Sequence, residues 1–161
     1  MKIKSLLEND SEHAKAMAKT GYWGAQGAGL IYMAISTKRF LLCKRSRLVE
    51  QPGTWGGWGG AIDPGEDPVQ AAIREAEEET GVDADMVNII PLYEFVDPGK
   101  FKYYNYLAIV EEEFDVDGNW EVGGFKWFEY GRWPQRLHPG LKLCLDDARS
   151  QMLMKRAISS T

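Results

Sequence analysis

Four glutamates crowd the run REAEEETG, and three of them, Glu75, Glu78 and Glu79, fall near one another on a helical wheel, with Arg74 directly before the first. A 3.6-residue helical period puts them on an arc about 100° wide, so three carboxylates point roughly the same way. Like charges three and four positions apart repel, and the last turns of a helix favour cations over anions. Arg74, four residues before Glu78, relieves part of this repulsion. A hard divalent cation relieves far more. Mg2+ and Mn2+ take oxygen ligands, and Mg2+ usually keeps waters and meets substrate phosphates. Ahead of the glutamates, residues 51–66 read QPGTWGGWGGAIDPGE. Glycines there let backbone carbonyls and amides approach the same metal or phosphate, because no side chain intervenes. For a Glu-rich helix taken alone, a solvated acidic face is the competing explanation.

Positioning those groups requires a loop, a helix and a sheet to pack on. Asp67 suits a helix N-cap, Pro68 the first helical position and Gly81 the stop. Val69, Ala72, Ile73, Ala76 and Thr80 share one face, able to pack on a sheet. Residues 5–19 read as a helix opened by a Ser5–Glu8 capping box. The glycines at 21, 24, 27 and 29 read as loop. Residues 30–36 and 39–44 read as a strand pair turning at Thr37–Lys38, and the loop at 51–66 has room for a short strand. Two more strands, 87–96 and 103–111, flank Asp97-Pro98-Gly99. Another strand is expected at 125–129 and a terminal helix at 141–157. This order predicts one α/β (α+β) domain over residues 1–161, a mixed sheet between helices.

Residues 60–82 resemble the Nudix box, G-x5-E-x7-R-E-U-x-E-E-x-G-U with U aliphatic. Every position matches: Gly60, Glu66, Arg74, Glu75, Ala76, Glu78, Glu79, Gly81 and Val82. With residue frequencies near ~7%, chance produces such a match on the order of one time in a million for a chain this long. The resemblance covers the box strictly and, through the element order, residues 28–135 loosely. It implies an α/β/α sandwich and Mg2+- or Mn2+-dependent hydrolysis of a nucleoside diphosphate linked to another moiety. It also implies that Glu78 and Glu79 are metal ligands and Glu75 a ligand or the base that activates water. Arg74 would orient the carboxylates, and the carbonyl of Gly59 or Gly60 would complete the coordination. Glu66 takes a structural part. Family members often place a further acid shortly before a Trp-bearing strand. Glu121, six residues before Trp127, is the candidate, and Glu111, Glu112 and Glu113 are its rivals. Such hydrolysis needs an attacking water, neutralised phosphoryl oxygens and an aligned leaving group.

A net charge of −5 argues against extended nucleic-acid binding, yet a metal ion can bridge acidic protein and acidic phosphate. No apolar run approaches the ~20 residues of a membrane span. The first residues also lack the unbroken apolar stretch of a signal peptide, so the expected location is cytoplasmic. Cys43 and Cys144 show no metal-type spacing and read as reduced thiols.

Substrate contacts are sought in Arg45, Trp58 and Gly59. Trp55 and Trp58 flank the glycine loop and suit stacking on a base; Arg45 and Arg47 suit a phosphate. His13 and His138 have no partner pattern. Pro98, sixteen residues after Val82, resembles the downstream proline of ADP-ribose pyrophosphatases. The segment LLCKRS resembles part of the coenzyme A pyrophosphatase pattern. No SQPWPFPxS-like motif of NADH pyrophosphatases follows the box, and a MutT-like role in hydrolysing nucleoside triphosphates needs no signature. The loop reads Trp-Gly-Gly where the family commonly has Pro-Gly-Gly. Two alternatives accompany the hydrolase: a non-catalytic domain sensing a nucleotide or ADP-ribose and, ranked last, an isopentenyl diphosphate isomerase-like enzyme, for whose cysteine Cys43 lacks the matching context. The intact box carboxylates favour the hydrolase over the sensor. Monomer and homodimer both remain open.

Overall fold

The computed structural model describes residues 26–45, 53–98, 101–117 and 124–160. The helix expected at 5–19, and the candidates Arg47 and Glu121, lie outside them.

Strand β1 (Gln26–Ala34) is buried from its second residue to its end, the signature of a strand covered on both faces. It runs parallel to β6 (Phe101–Val110), from Gln26 opposite Lys102 to Ala34 opposite Val110. Its other edge is shared. Gly27 to Leu30 pair antiparallel with β4 (Trp58–Ala61), whereas Tyr32 and Met33 pair antiparallel with β2 (Arg39–Lys44). The sheet therefore divides beside the middle of β1. β2 pairs with β3 (Trp55–Gly56) further along the edge it shares with β1, and with β7 (Gly124–Glu129) along its whole outer edge; β5 (Met86–Asp97) closes the far edge against β6.

Alternation along these strands builds two cores. Ala28, Leu30, Tyr32, Leu41, Ala108 and Trp127 face helix α1 (Pro68–Thr80) through Ala71, Ala72 and Ala76. Ile31, Met33, Phe40, Leu42, Leu107 and Phe128 face helices α2 (Pro139–Asp146) and α3 (Ala148–Ser159) through Leu141, Cys144, Leu145 and Met154. The result is a mixed sheet between helices, as the element order predicts.

Two expectations are corrected. Gly27 and Gly29 lie within β1 rather than in a loop, because pairing to β4 and β6 outweighs their low strand preference. The terminal helix is two helices. Asp147 is extended (φ −70, ψ 127) and its side chain accepts a hydrogen bond from the Ser150 N–H, so it ends α2 and caps α3.

Candidate active site

The turn between β4 and α1 is fixed by its own residues. The Glu66 N–H donates to the Asp63 carbonyl at 3.0 Å, and the Asp63 N–H donates to Glu66 Oε1 at 3.1 Å. Gly65 at φ 78 supplies the left-handed step. Asp67 takes extended geometry at the helix start but makes no side-chain capping bond. Gly81, at φ 70, donates its N–H to the Glu77 carbonyl and closes α1.

Arg74 clamps the helix to this loop. Its Nε and Nη2 donate to the two oxygens of Glu66, each at 2.9 Å. Nη2 also donates to the Ala61 carbonyl at 3.2 Å, and Nη1 to Glu75 Oε1 at 3.0 Å. Asp63 and Glu78 stand at 3.5 and 3.6 Å. A planar five-donor fork suits this many acceptors as no lysine does. The hydrogen bonds from Arg74 hold the Glu66 carboxyl below its ordinary range. Glu66 is thereby placed as a strut of the loop.

Glu75 belongs to the buried face of α1 and lies against Gly60. A Cβ on Gly60 would stand 2.6 Å from its carboxyl carbon, so a side chain there would push the carboxylate aside. Burial pushes Glu75 up from the ordinary carboxylate range; Arg74 opposes this and the Glu78 charge adds to it. Glu79 is raised much further, by burial first and then by the Glu75 charge. Arg45 and a hydrogen bond from the Gly59 backbone N–H pull it the other way. As a residue Glu79 is only half-buried, yet its Oε1 is sealed from solvent. Glu75 Oε2 and Glu79 Oε1 are both buried without a hydrogen-bond partner. Glu78 is exposed.

Two unpartnered, desolvated carboxylate oxygens are costly unless something meets them. Among the described residues no group of three His, Cys, Asp or Glu side chains stands arranged to hold a metal ion. Mg2+ does not ask for one, since it commonly binds through one or two carboxylates plus water and phosphate. The orphaned oxygens of Glu75 and Glu79, with glycine backbone beside each, fit such an ion.

The remaining sequence candidates divide. Arg45 follows β2, with its N–H on the Thr54 carbonyl at 2.8 Å, and its charge acts on Glu79, Tyr103 and His138. It belongs to the site. Gly59 belongs as well, through its N–H. Trp58 does not: it is fully buried and its indole N–H donates to the Leu41 carbonyl at 3.2 Å. It is a core residue and offers no face to a base. Trp55 packs edge-on against Phe128 at 5.2 Å. Glu113 is held by Arg39 through Nε at 2.6 Å and Nη2 at 2.9 Å, an ion pair at the other end of β2 from Arg45. Glu111 and Glu112 are exposed.

One residue near the site escaped the sequence reading. The Tyr103 ring lies over Gly27, and its hydroxyl reaches Gly29 and Gly59. Burial and the charges of Glu79, Arg45 and Glu75 act on that hydroxyl. The signal was the alternation of glycines at 27, 29 and 59, which marks a close approach rather than a flexible loop.

Comparison with known proteins bears on the fold and the family. The NUDIX domain model matches residues 25–147. A putative 8-oxo-dGTP diphosphatase 3 of Mycobacterium tuberculosis is 36% identical over 131 residues, 74% of this chain and 59% of the relative. The chain thus spans 59% of that relative's length. A putative 8-oxo-dGTP diphosphatase of Bacillus subtilis is 34% identical over 128 residues, covering 78% of this chain and 80% of the relative. The crystal structure of a MutT NUDIX hydrolase from Burkholderia pseudomallei superposes with a TM-score of 0.61 at 26% identity, covering 78% of this chain and 98% of that one.

Proposed function

The chain belongs to the Nudix family, and from that premise we propose that it is a pyrophosphohydrolase acting on a nucleoside triphosphate, MutT-like in its substrate class. The observation that carries the reading is the pair of buried, unpartnered oxygens on Glu75 and Glu79, in a family built on metal-assisted attack at a diphosphate. The relatives named as 8-oxo-dGTP diphosphatases support a purine nucleoside triphosphate, normal or oxidised.

Glu79 would hold a Mg2+ or Mn2+ ion, with Glu78 and the carbonyl of Gly59 or Gly60 at its edge and Glu75 facing it. Such an ion, when bound, neutralises the phosphoryl oxygens and lowers the pKa of a coordinated water. Arg74 fixes Glu75 Oε1 and leaves Oε2 aimed at the site as the acceptor for a water proton. Burial, which holds Glu75 above the ordinary carboxylate range, makes it a better proton acceptor than a solvated carboxylate. Arg45, whose charge acts on Glu79, would meet a phosphate and offset charge on the departing pyrophosphate. Water attack on phosphorus then yields a nucleoside monophosphate and pyrophosphate. Among the described residues no helix is long and apolar enough to cross a membrane, and we place the reaction in the cytoplasm.

The decisive experiment incubates the protein and Mg2+ with normal and oxidised deoxynucleoside triphosphates, ADP-ribose, dinucleoside polyphosphates, nucleotide sugars and coenzyme A. Product analysis should show pyrophosphate from the triphosphates, and Glu79→Gln should remove nearly all of it while the variant stays folded. Turnover confined to ADP-ribose would move the substrate class, and no turnover on any compound would leave a sensor.

A further inference from the structure

Three glycines clear space for a single aromatic ring. A Cβ on Gly27 would stand 2.9 Å from Cδ2 of Tyr103, a Cβ on Gly59 would stand 2.7 Å from its hydroxyl oxygen, and a Cβ on Gly29 would collide with that hydroxyl. The three lie on neighbouring strands, Gly27 and Gly29 on β1 and Gly59 on β4, with Gly29 directly opposite Gly59. Tyr103 itself pairs with Gly27 from β6. Its side chain therefore extends from β6 across β1, and the hydroxyl arrives at β4. Close backbone already calls for glycine at 59, where a Cβ would also meet the Ala28 carbonyl and the Gly29 Cα; at 27 and 29, strand glycines forfeit packing and conformational entropy beside one phenol, and that needs a reason.

The place where the hydroxyl arrives supplies one. Gly59 is the residue whose N–H meets Glu79, and Arg45, Glu79 and Glu75 all act electrostatically on the phenol. A phenol is an O–H donor throughout the neutral range. The division of the sheet beside β1 brings this donor, the Glu79 carboxylate and Arg45 to one edge of β4.

From this arrangement, and resting on the hydrolase reading above, we infer that Tyr103 is a substrate-contacting residue whose hydroxyl donates a hydrogen bond to the phosphate chain of the bound nucleotide, with Gly27, Gly29 and Gly59 as its seat. The phosphate chain, rather than the base, is the part of the substrate that must lie beside Glu79.

The test is Tyr103→Phe, which keeps the ring in its seat and deletes only the hydroxyl. Calorimetric titration with the non-hydrolysable α,β-methylene analogues of dGTP and dATP in Mg2+ reads binding without turnover. The expected result is binding weakened about tenfold, the size of a lost hydrogen bond to a charged group, equally for both bases and with an unchanged melting temperature. Wild-type affinity in Tyr103→Phe overturns the inference, and so does a loss confined to one base. If the unaltered protein binds neither analogue, it is the nucleoside triphosphate reading that fails, and the assignment falls with it.

Discussion

Arg74 touches more partners than any other side chain in the site, and a lysine there tests how much of that depends on the guanidinium fork. Lysine keeps the charge but cannot hold both Glu66 oxygens, the Ala61 carbonyl and Glu75 together. Chemical denaturation of Arg74→Lys should show a loss of about 1–3 kcal/mol, the scale of a charge-assisted hydrogen bond, and turnover should fall because Glu75 is no longer aimed. Unchanged stability would mean that the loop holds its shape without the clamp. His138 gives a second prediction. It caps α2 by accepting the Gly140 N–H on Nδ1 at 3.0 Å, which only an unprotonated nitrogen can do. Burial, then the nearby Arg45 charge, lowers its pKa from 6.5 to about 4. With a depressed folded value, the unfolded chain binds the proton first as pH falls. Its contribution is therefore complete above 6.5 and is lost between there and about 4. His138→Asn keeps a capping acceptor and removes the titration, so melting temperature should fall less steeply across that window than in the unaltered protein. At this scale the sequence showed the box carboxylates and Arg74, whose spacing is itself the signal. It did not show that Trp58 is core, since a tryptophan beside glycines carries no mark of which face it takes.

Helix ends were legible as elements because their signals are local. Pro68 and Gly81 bound α1 as their chemistry requires. The break at Asp147 was not read, because the apolar period continues across it from Leu141 to Ala157 and only the capping chemistry of one aspartate divides it. That difference is measurable. Asp147 accepts the Ser150 N–H at 2.9 Å, whereas Asp67 makes no side-chain cap bond. Asp147→Ala should cost about 1 kcal/mol of stability, and Asp67→Ala distinctly less, by urea denaturation. Equal losses would show that charge at the helix start, and not the cap bond, is what matters. The strands at 27 and 29 escaped for a related reason. Glycine's weak strand preference is a local property, while their place in β1 is set by β4 and β6, far away in sequence.

Across the whole molecule, two apolar cores enclose the sheet, and the one that holds α1 keeps Glu75 Oε2 and Glu79 Oε1 out of water. The layered fold was readable from the order of elements, since a mixed sheet with apolar residues on both faces has few other ways to be covered. The division of the sheet that admits Glu79 was not readable, because it depends on two strands sharing one edge of β1. Holding unpartnered carboxylate oxygens inside the fold opposes folding unless an ion meets them. Metal binding should therefore appear in global stability as well as in turnover. At a Mg2+ concentration near 100 times its dissociation constant, linkage adds about 2.7 kcal/mol, or roughly 2–4 °C of melting temperature per kcal/mol in a domain this size. Chelation should reverse the rise. Glu79→Gln removes the buried charge together with the ligand, so the order of stabilities should cross. The variant should melt at or above the unaltered protein in chelator, and below it in Mg2+. A variant that melts lower in both conditions would show that Glu79 holds the fold by contacts of its own rather than waiting for an ion.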